Sequence, residues 1–335
     1  MKQPPRDLPA SVRQRLMNLS RERGEDFQMI LTRFGIERLL YRLTQSPHAR
    51  QFVLKGAALF QLWTGQPHRA TRDLDLLGEG VPSSDRLREI FREVCSAVVV
   101  NDGLTFFADT IQAALIKEDD EYQGIRLRID ARLGNARIPL QIDVGFGDAI
   151  TPGSQDVTYP TLLDSPAALL LAYPRETVVA EKFQAMVALG IADSRLKDFY
   201  DVWTLARLFE FDGPGLCAAI HATFKRRQTV LPLTAPLALT PEFSTDRNKA
   251  IQWTAFLKKG KLVDQPPPLN DVVLLLESFL MPPTLAVVAN TPWEAFLTET
   301  GRSRKHLLLP WQQIGRSRRK AVMPTCTFPG SHTAS

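Results

Sequence analysis

Residues 51–78 read QFVLKGAALFQLWTGQPHRATRDLDLLG, passing from strand to helix and back to strand in one short stretch. Phe52–Leu54 is a brief apolar run that suits a strand. Lys55-Gly56 turns the chain, and the apolar residues after it suit a short helix ending near Gly65. Beyond the polar loop QPHRAT, the segment RDLDLLG returns to strand. Asp73 and Asp75 stand two residues apart on it, so their side chains leave the same face, with Cα atoms roughly 6.6–7 Å apart. Two carboxylates aimed together repel, by about 4 kcal/mol at 4 Å and an effective dielectric near 20. A divalent cation reverses that sign. Two hard oxygen donors, with room left for water and phosphate oxygens, suit magnesium. A lone D-x-D also serves as a solvated strand end or turn cap, so the spacing leaves both readings open. Gly56 ahead of a helix lets the backbone approach an anion that the helix N–H groups would face. A plain strand–turn–helix connection reads the same way.

Upstream, residues 11–46 read as one or two amphipathic helices, with Phe27, Ile30, Leu31, Phe34, Leu39 and Leu40 at helical spacing and Pro47 as the stop. Downstream, 84–94 reads as helix, and 97–147 alternates with period two. The alternation is clearest in IRLRIDARL and RIPLQIDVGF, which flank the turn signal Gly134-Asn135. In the second, Ile138, Leu140, Ile142 and Val144 share one face, leaving Gln141 and Asp143 on the other. Asp143 is thus a third acidic candidate, although a single acid on a polar strand face needs no function.

From about residue 164 the pattern turns helical. Helices are predicted over 174–189 and 195–209, with Asp193 or Ser194 as N-cap of the second, then over 214–226, 246–257 and 270–280. Lys182 lies on the first, while Asp198 and Asp201 are neighbours on one face of the second. Taken alone, Lys182 and Asp198 suit an interhelical salt bridge, worth about 0–1 kcal/mol if exposed. Lys225-Arg226-Arg227 falls at a helix end, where cations complement the helix dipole. His68 is the histidine nearest the aspartate pair.

The 335 residues are 44% hydrophobic and 23% charged, which is globular composition and length enough for two domains. No apolar run approaches the roughly 20 residues of a membrane helix, and the charged N-terminus lacks a secretory core. Cys95, Cys217 and Cys326 are odd in number and dispersed, suiting neither a disulfide framework nor a zinc site, and a cytoplasmic setting is expected. The net charge of +5 is misleading. Residues 301–320 hold seven of the 41 Lys and Arg residues and no acid, leaving 34 basic against 36 acidic side chains in the first 300 residues. Any nucleic-acid site is then a local patch rather than a whole-protein field.

Lys55-Gly56-Ala57-Ala58-Leu59, Arg69-Ala70-Thr71-Arg72-Asp73-Leu74-Asp75, Gln141-Ile142-Asp143, Glu181-Lys182 and Lys197-Asp198-Phe199-Tyr200-Asp201 resemble, in order and spacing, the motifs of the AbiEii/AbiGii (MenT-like) nucleotidyltransferase toxins. The resemblance covers about residues 27–260, including Trp253-Thr254-Ala255-Phe256-Leu257 near its end. Two positions depart: Gly56-Ala57 replaces a frequent Gly-Gly, and Thr71 replaces a frequent Ser while keeping the hydroxyl.

The resemblance implies an α+β fold, with a polymerase-β-like core around a mixed sheet followed by a helical C-terminal domain. The expected organisation is 1–48 as N-terminal helices packing on the core, 49–163 as the transferase core, 164–285 as a helical domain completing the active site, and 286–335 as a basic, disordered tail. By position, Asp73, Asp75, Lys182 and Asp198 are the implied catalytic residues. Lys55, Gly56, Thr71 and Lys182 would lie at the nucleotide. Asp73, Asp75 and Asp143 would hold one or two Mg2+ ions. The implied activity is transfer of a nucleotide from a nucleoside triphosphate to RNA, with the tRNA 3′ acceptor end as target, blocking translation. A cognate, AbiEi-like antitoxin is then expected and no membrane partner. Lys182 would neutralise the triphosphate, and either Asp198 or Asp75 would take the proton. The alternatives are nucleotidylation of a protein, or a non-catalytic module that binds GTP or RNA.

Overall fold

A computed structural model describes residues 7–293 apart from Pro67, Ala70, 119–121, Lys261 and 263–264. The basic clusters at 302–320 lie outside the described residues. The chain divides into two units. The first holds residues up to 148 with 153–173 and 260–263; the second holds 149–152, 174–259 and, among the described residues, 265–293.

The first unit opens with α1 (Leu8–Arg23) and α2 (Phe27–Thr44). Each has an aspartate N-cap: Asp7 accepts from the Ala10 N–H at 3.0 Å and Asp26 from the Met29 N–H at 3.1 Å. Then follow β1 (Phe52–Lys55), α3 (Ala58–Thr64), β2 (Asp73–Gly78), α4 (Ser84–Cys95), β3 (Leu104–Glu118), β4 (Tyr122–Leu133), β5 (Ala136–Phe146), β6 (Gln155–Thr158) and β7 (Leu169–Ala172). All seven strands form one sheet in the order β3-β4-β5-β2-β1-β7-β6. It is mixed: β2 runs parallel to β5 and β1 to β7, while the other pairs are antiparallel. The expected α+β class with a mixed sheet and following helices is therefore found. β6 and β7 are absent from the sequence reading, because each is short and its place depends on pairing with distant parts of the chain. With β7 in the sheet, this unit reaches residue 173.

Helix α2 covers the sheet. Thirteen of its residues are buried, and a β-carbon on Gly35 would come within 3.1 Å of the Ile138 and Leu140 side chains, so glycine lets the helix sit close on β5. Burying one such apolar side chain, Phe34 or Leu39 for example, contributes about 1.5–3 kcal/mol. The same helix buries charge. Arg42 reaches both oxygens of Asp102 at 2.6 and 3.0 Å, and Arg38 donates to Asp102 at 3.1 Å and to the Pro166 carbonyl at 2.7 Å. Burial alone would raise the pKa of Asp102, but the Arg42 and Arg38 pairs outweigh it and hold the carboxyl below its ordinary range. Neighbouring Glu37 accepts from the Leu162 N–H at 2.7 Å, yet burial pushes its carboxyl up to about 7.

The second unit is helical: α5 (Arg175–Leu189), α6 (Leu196–Leu208), α7 (Gly213–Arg226), α8 (Pro241–Thr245), α9 (Arg247–Lys259) and α10 (Leu269–Ala289). Its core stacks Phe199 on Phe243 and packs Phe183 against Phe224, with ring centroids 5.1 and 5.3 Å apart. Arg195, not Asp193 or Ser194, occupies the N-cap position of α6, because Asp193 closes a turn on the Arg195 N–H at 2.7 Å. Helix α10 corrects two expectations. It continues through Pro282 and Pro283 to Ala289 instead of ending at 280. It is also long and apolar enough to cross a membrane, at mean hydropathy 2.0, although Asn270, Asp271 and Glu277 interrupt the run in the sequence. Half of it is buried within the fold, as befits a core helix.

Candidate active site

Strand β2 sits between β5 and β1, and this placement builds the site. Leu74 and Leu76 are 1% exposed and fill the core, so Asp73 and Asp75 turn to the opposite, half-buried face. Register aligns Asp73 with Gln141 and Asp75 with Asp143 on β5, and Asp75 with Lys55 on β1. Three expected site residues therefore lie side by side: Lys55, Asp75 and Asp143.

Gly56 is shaped by Asp75. Its φ is +73°, and a β-carbon there would stand 2.6 Å from Cγ and 2.7 Å from Cβ of Asp75. The carboxylate lies across the glycine backbone, in space that any other residue would claim. Thr71 is partly exposed, and its hydroxyl lies 3.5 Å from the Asp73 carbonyl oxygen. Lys55 is held sideways: its Nζ bonds Oδ2 of buried Asp148 at 2.6 Å and lies 5.4 Å from the centre of the Tyr173 ring, whose hydroxyl also reaches Asp148 at 3.3 Å.

Asp143 is gripped by Arg126 of β4, Nε to Oδ1 at 2.8 Å and Nη2 to Oδ2 at 2.7 Å. Among the described residues, no group of three or more His, Cys, Asp and Glu side chains is arranged to hold a metal ion. The aspartate pair nonetheless suits magnesium, which needs only one or two protein carboxylates and keeps its waters. Asp73 and Asp75 supply hard oxygens on one accessible face, and the missing side chain of Gly56 leaves Asp75 its position.

In the second unit, Lys182 of α5 is in ion-pair contact with Asp198 of α6 and bonds Asp201 one turn further on at 2.9 Å. The three side chains are 14%, 8% and 0% exposed, so this is a buried triad rather than a surface pair. The interhelical salt bridge read from the sequence is present, with a second acid added. Arg227 donates to Gln184 at 2.8 Å and approaches Glu181 at 3.7 Å, so it serves more than the helix dipole.

Two cavities of the first unit meet at Asp73. One, of about 570 Å³, is walled by α1, α2 and the segment around α3 and includes Arg33, His68, Thr71 and Tyr159. His68 is buried there, stacked on Phe60 with centroids 4.0 Å apart. The other, of about 320 Å³, lies on the opposite strands with Arg72, Thr110, Arg128 and Gln141 in its wall. Among the described residues, Asp73 is the one common to both.

The sequence reading passes over Arg126 and Asp148. A signal for Arg126 exists: counting outward from a two-residue turn at Gly134-Asn135 sets it opposite Asp143, as the register confirms. Asp148 follows a strand end and carries no comparable signal.

The profile of the family described as nucleotidyl transferase AbiEii toxin, type IV toxin–antitoxin system, matches residues 38–275. No curated protein matches the sequence. Among solved structures, JHP933 from Helicobacter pylori aligns at 14% identity over 79% of this chain and 94% of its own, with a TM-score of 0.43. A second H. pylori structure, described as a candidate nucleotidyltransferase, aligns at 14% identity over 79% and 96%, also at 0.43.

Proposed function

This chain belongs to the AbiEii nucleotidyltransferase toxin family of type IV toxin–antitoxin systems, and on that premise we propose that it transfers a nucleotide from a nucleoside triphosphate to the 3′ acceptor end of tRNA in the cytoplasm, inhibiting translation until a cognate antitoxin intervenes. The observation that carries this reading is the aspartate pair: two carboxylates on one face of β2, the second lodged over Gly56. Asp73 and Asp75 would hold Mg2+, with Asp143 the third ligand once released from Arg126. When bound, the ion supplies charge neutralisation at the phosphates and lowers the pKa of the attacking hydroxyl.

The residues have distinct tasks. The RNA hydroxyl oxygen bonds the α-phosphorus as the bond to the β-phosphate oxygen breaks, so pyrophosphate leaves and the hydroxyl proton passes to a carboxylate. Asp73 and Asp75 would hold the cation that accompanies the triphosphate. Thr71, on the wall of the larger cavity, offers a hydroxyl to a phosphate oxygen. Lys182 is assigned to the β- and γ-phosphates, as a cation held ready by Asp198 and Asp201. Lys55, tied to Asp148, fixes the turn that presents Gly56, which is a positioning role.

The test is to incubate the protein with Mg2+, each α-labelled triphosphate in turn and total tRNA, beside Asp75→Ala. Label on tRNA with the wild type only is the expected result. Label on protein would replace the RNA target with a protein one, and absence of label with every triphosphate would overturn the enzymatic reading.

A further inference from the structure

The open face of β3–β4–β5 beside Asp73 carries arginines whose charge the site described above does not use. Alternation places them there. Ile125, Leu127 and Ile129 are at most 1% exposed and fill the core, so Arg126, Arg128 and Arg132 of β4 take the other face. Most of the cations in this region are engaged. Arg126 grips Asp143, Arg132 lies over the Phe107 ring at 5.6 Å, and Arg137 of β5 bonds Asp130 at 2.8 and 3.1 Å. Arg128 and Arg72 differ. Both are exposed, and among the described residues neither has an acid at ion-pair distance or a side-chain hydrogen bond. Two unneutralised guanidiniums therefore face one groove of about 320 Å³, with Gln141 on the strand between them and Gln112 beyond Arg128 on β3.

Position gives this groove its meaning. Arg128 pairs in register with Gln141, and Gln141 with Asp73, so the three form a row across adjacent strands. At about 4.8 Å per strand, the backbone of Arg128 is only roughly 10 Å from that of Asp73. A transferase must bring two substrates to one metal, and these two cavities of the unit share Asp73 alone among the described residues. The larger cavity has walls of helix and a buried ring stack. The smaller one is a polar, arginine-bearing sheet face, which suits an extended polyanion.

We propose that this groove seats the acceptor RNA strand, with Arg72 and Arg128 holding backbone phosphates so that the 3′ end reaches Asp73. The inference rests on the reading of the protein as an RNA nucleotidyltransferase. Phosphate contacts of this kind position a strand without reading its sequence, and each makes binding more salt-dependent.

The test uses the full chain, a 5′-fluorescent RNA oligonucleotide ending in a single-stranded 3′ CCA, and anisotropy titrations at salt concentrations between about 50 and about 300 mM. Arg72→Gln/Arg128→Gln is expected to weaken binding at least about tenfold at low salt and to reduce the slope of log affinity against log salt by about 1.4, near 0.7 for each lost single-strand contact. Arg72→Lys/Arg128→Lys keeps the charges and is expected to keep the slope. Both pairs are exposed, and a thermal melt together with Mn2+ affinity reports whether fold and carboxylate pair are intact. If the wild type binds and labels RNA while the glutamine variant keeps its affinity and slope, the groove is not the acceptor seat. If the wild type neither binds nor labels RNA, the functional reading itself fails and takes this inference with it.

Discussion

Arg126 and Asp143 form a two-point ion pair, at 2.8 and 2.7 Å, one strand away from Asp75. A guanidinium that claims both carboxylate oxygens competes directly with a cation for them. Arg126→Gln is expected to raise Mn2+ affinity about three- to tenfold, or about 0.7–1.4 kcal/mol, by calorimetric titration. Asp143→Asn in the same background should cancel the gain. An unchanged affinity in the single variant would remove Asp143 from the ligand set.

Gly56→Ala tests the seat of Asp75. The new methyl meets the Asp75 side chain, and a left-handed backbone costs a non-glycine residue roughly 1–2 kcal/mol. Loss of more than about tenfold in Mn2+ affinity (1.4 kcal/mol) is expected. Gly24→Ala is the comparator, since it has similar φ and nothing within 4 Å of the added carbon. It should lose stability alone. Equal metal affinity in the two variants would show that the collision does not matter.

Lys182→Ala leaves Asp198 and Asp201 buried without their shared cation. Breaking a buried pair from one side costs about 3–5 kcal/mol, so the urea midpoint should fall sharply. Adding Asp198→Asn and Asp201→Asn should restore most of the stability but no transfer activity. A Lys182→Ala midpoint equal to wild type would mean that the triad contributes little to the second unit.

Glu37 makes stability depend on pH in an unusual direction. Its carboxyl keeps the proton up to about pH 7 when folded, against 4.5 for an ordinary glutamate, because burial disfavours the anion. The folded state then binds more protons across that interval. The stabilisation is complete below pH 4.5 and is lost as pH rises through 7. Denaturant unfolding of the wild type should show this component, and Glu37→Gln should flatten it. An identical pH profile in the variant would assign the slope to other groups.

The elements around the aspartate pair were legible because each had a local signal. The Lys55-Gly56 turn, the alternation of 125–146 and the stop at Pro47 are all found as read. Strands β6 and β7 were not, because their place is decided by β1, to which β7 pairs across more than a hundred residues of chain. The candidate site divides the same way. Asp73, Asp75 and Asp143 share a face that alternation alone predicts. That Asp148 would hold Lys55, or that Asp201 would join Asp198 on Lys182, depends on packing that no window of sequence displays.

The Gly134-Asn135 turn has a bearing on how this protein tolerates change. Its length sets which β4 residue faces Asp143, since pairing is counted outward from it. One inserted residue would bring Leu127 or Ile125 toward the chemistry and drive Arg126 and Arg128 into the oily layer. Such a lesion would abolish the fold rather than retune the enzyme. Point substitutions can therefore place arginines anew on the open face without touching register, while insertions and deletions in this hairpin put the register itself at stake.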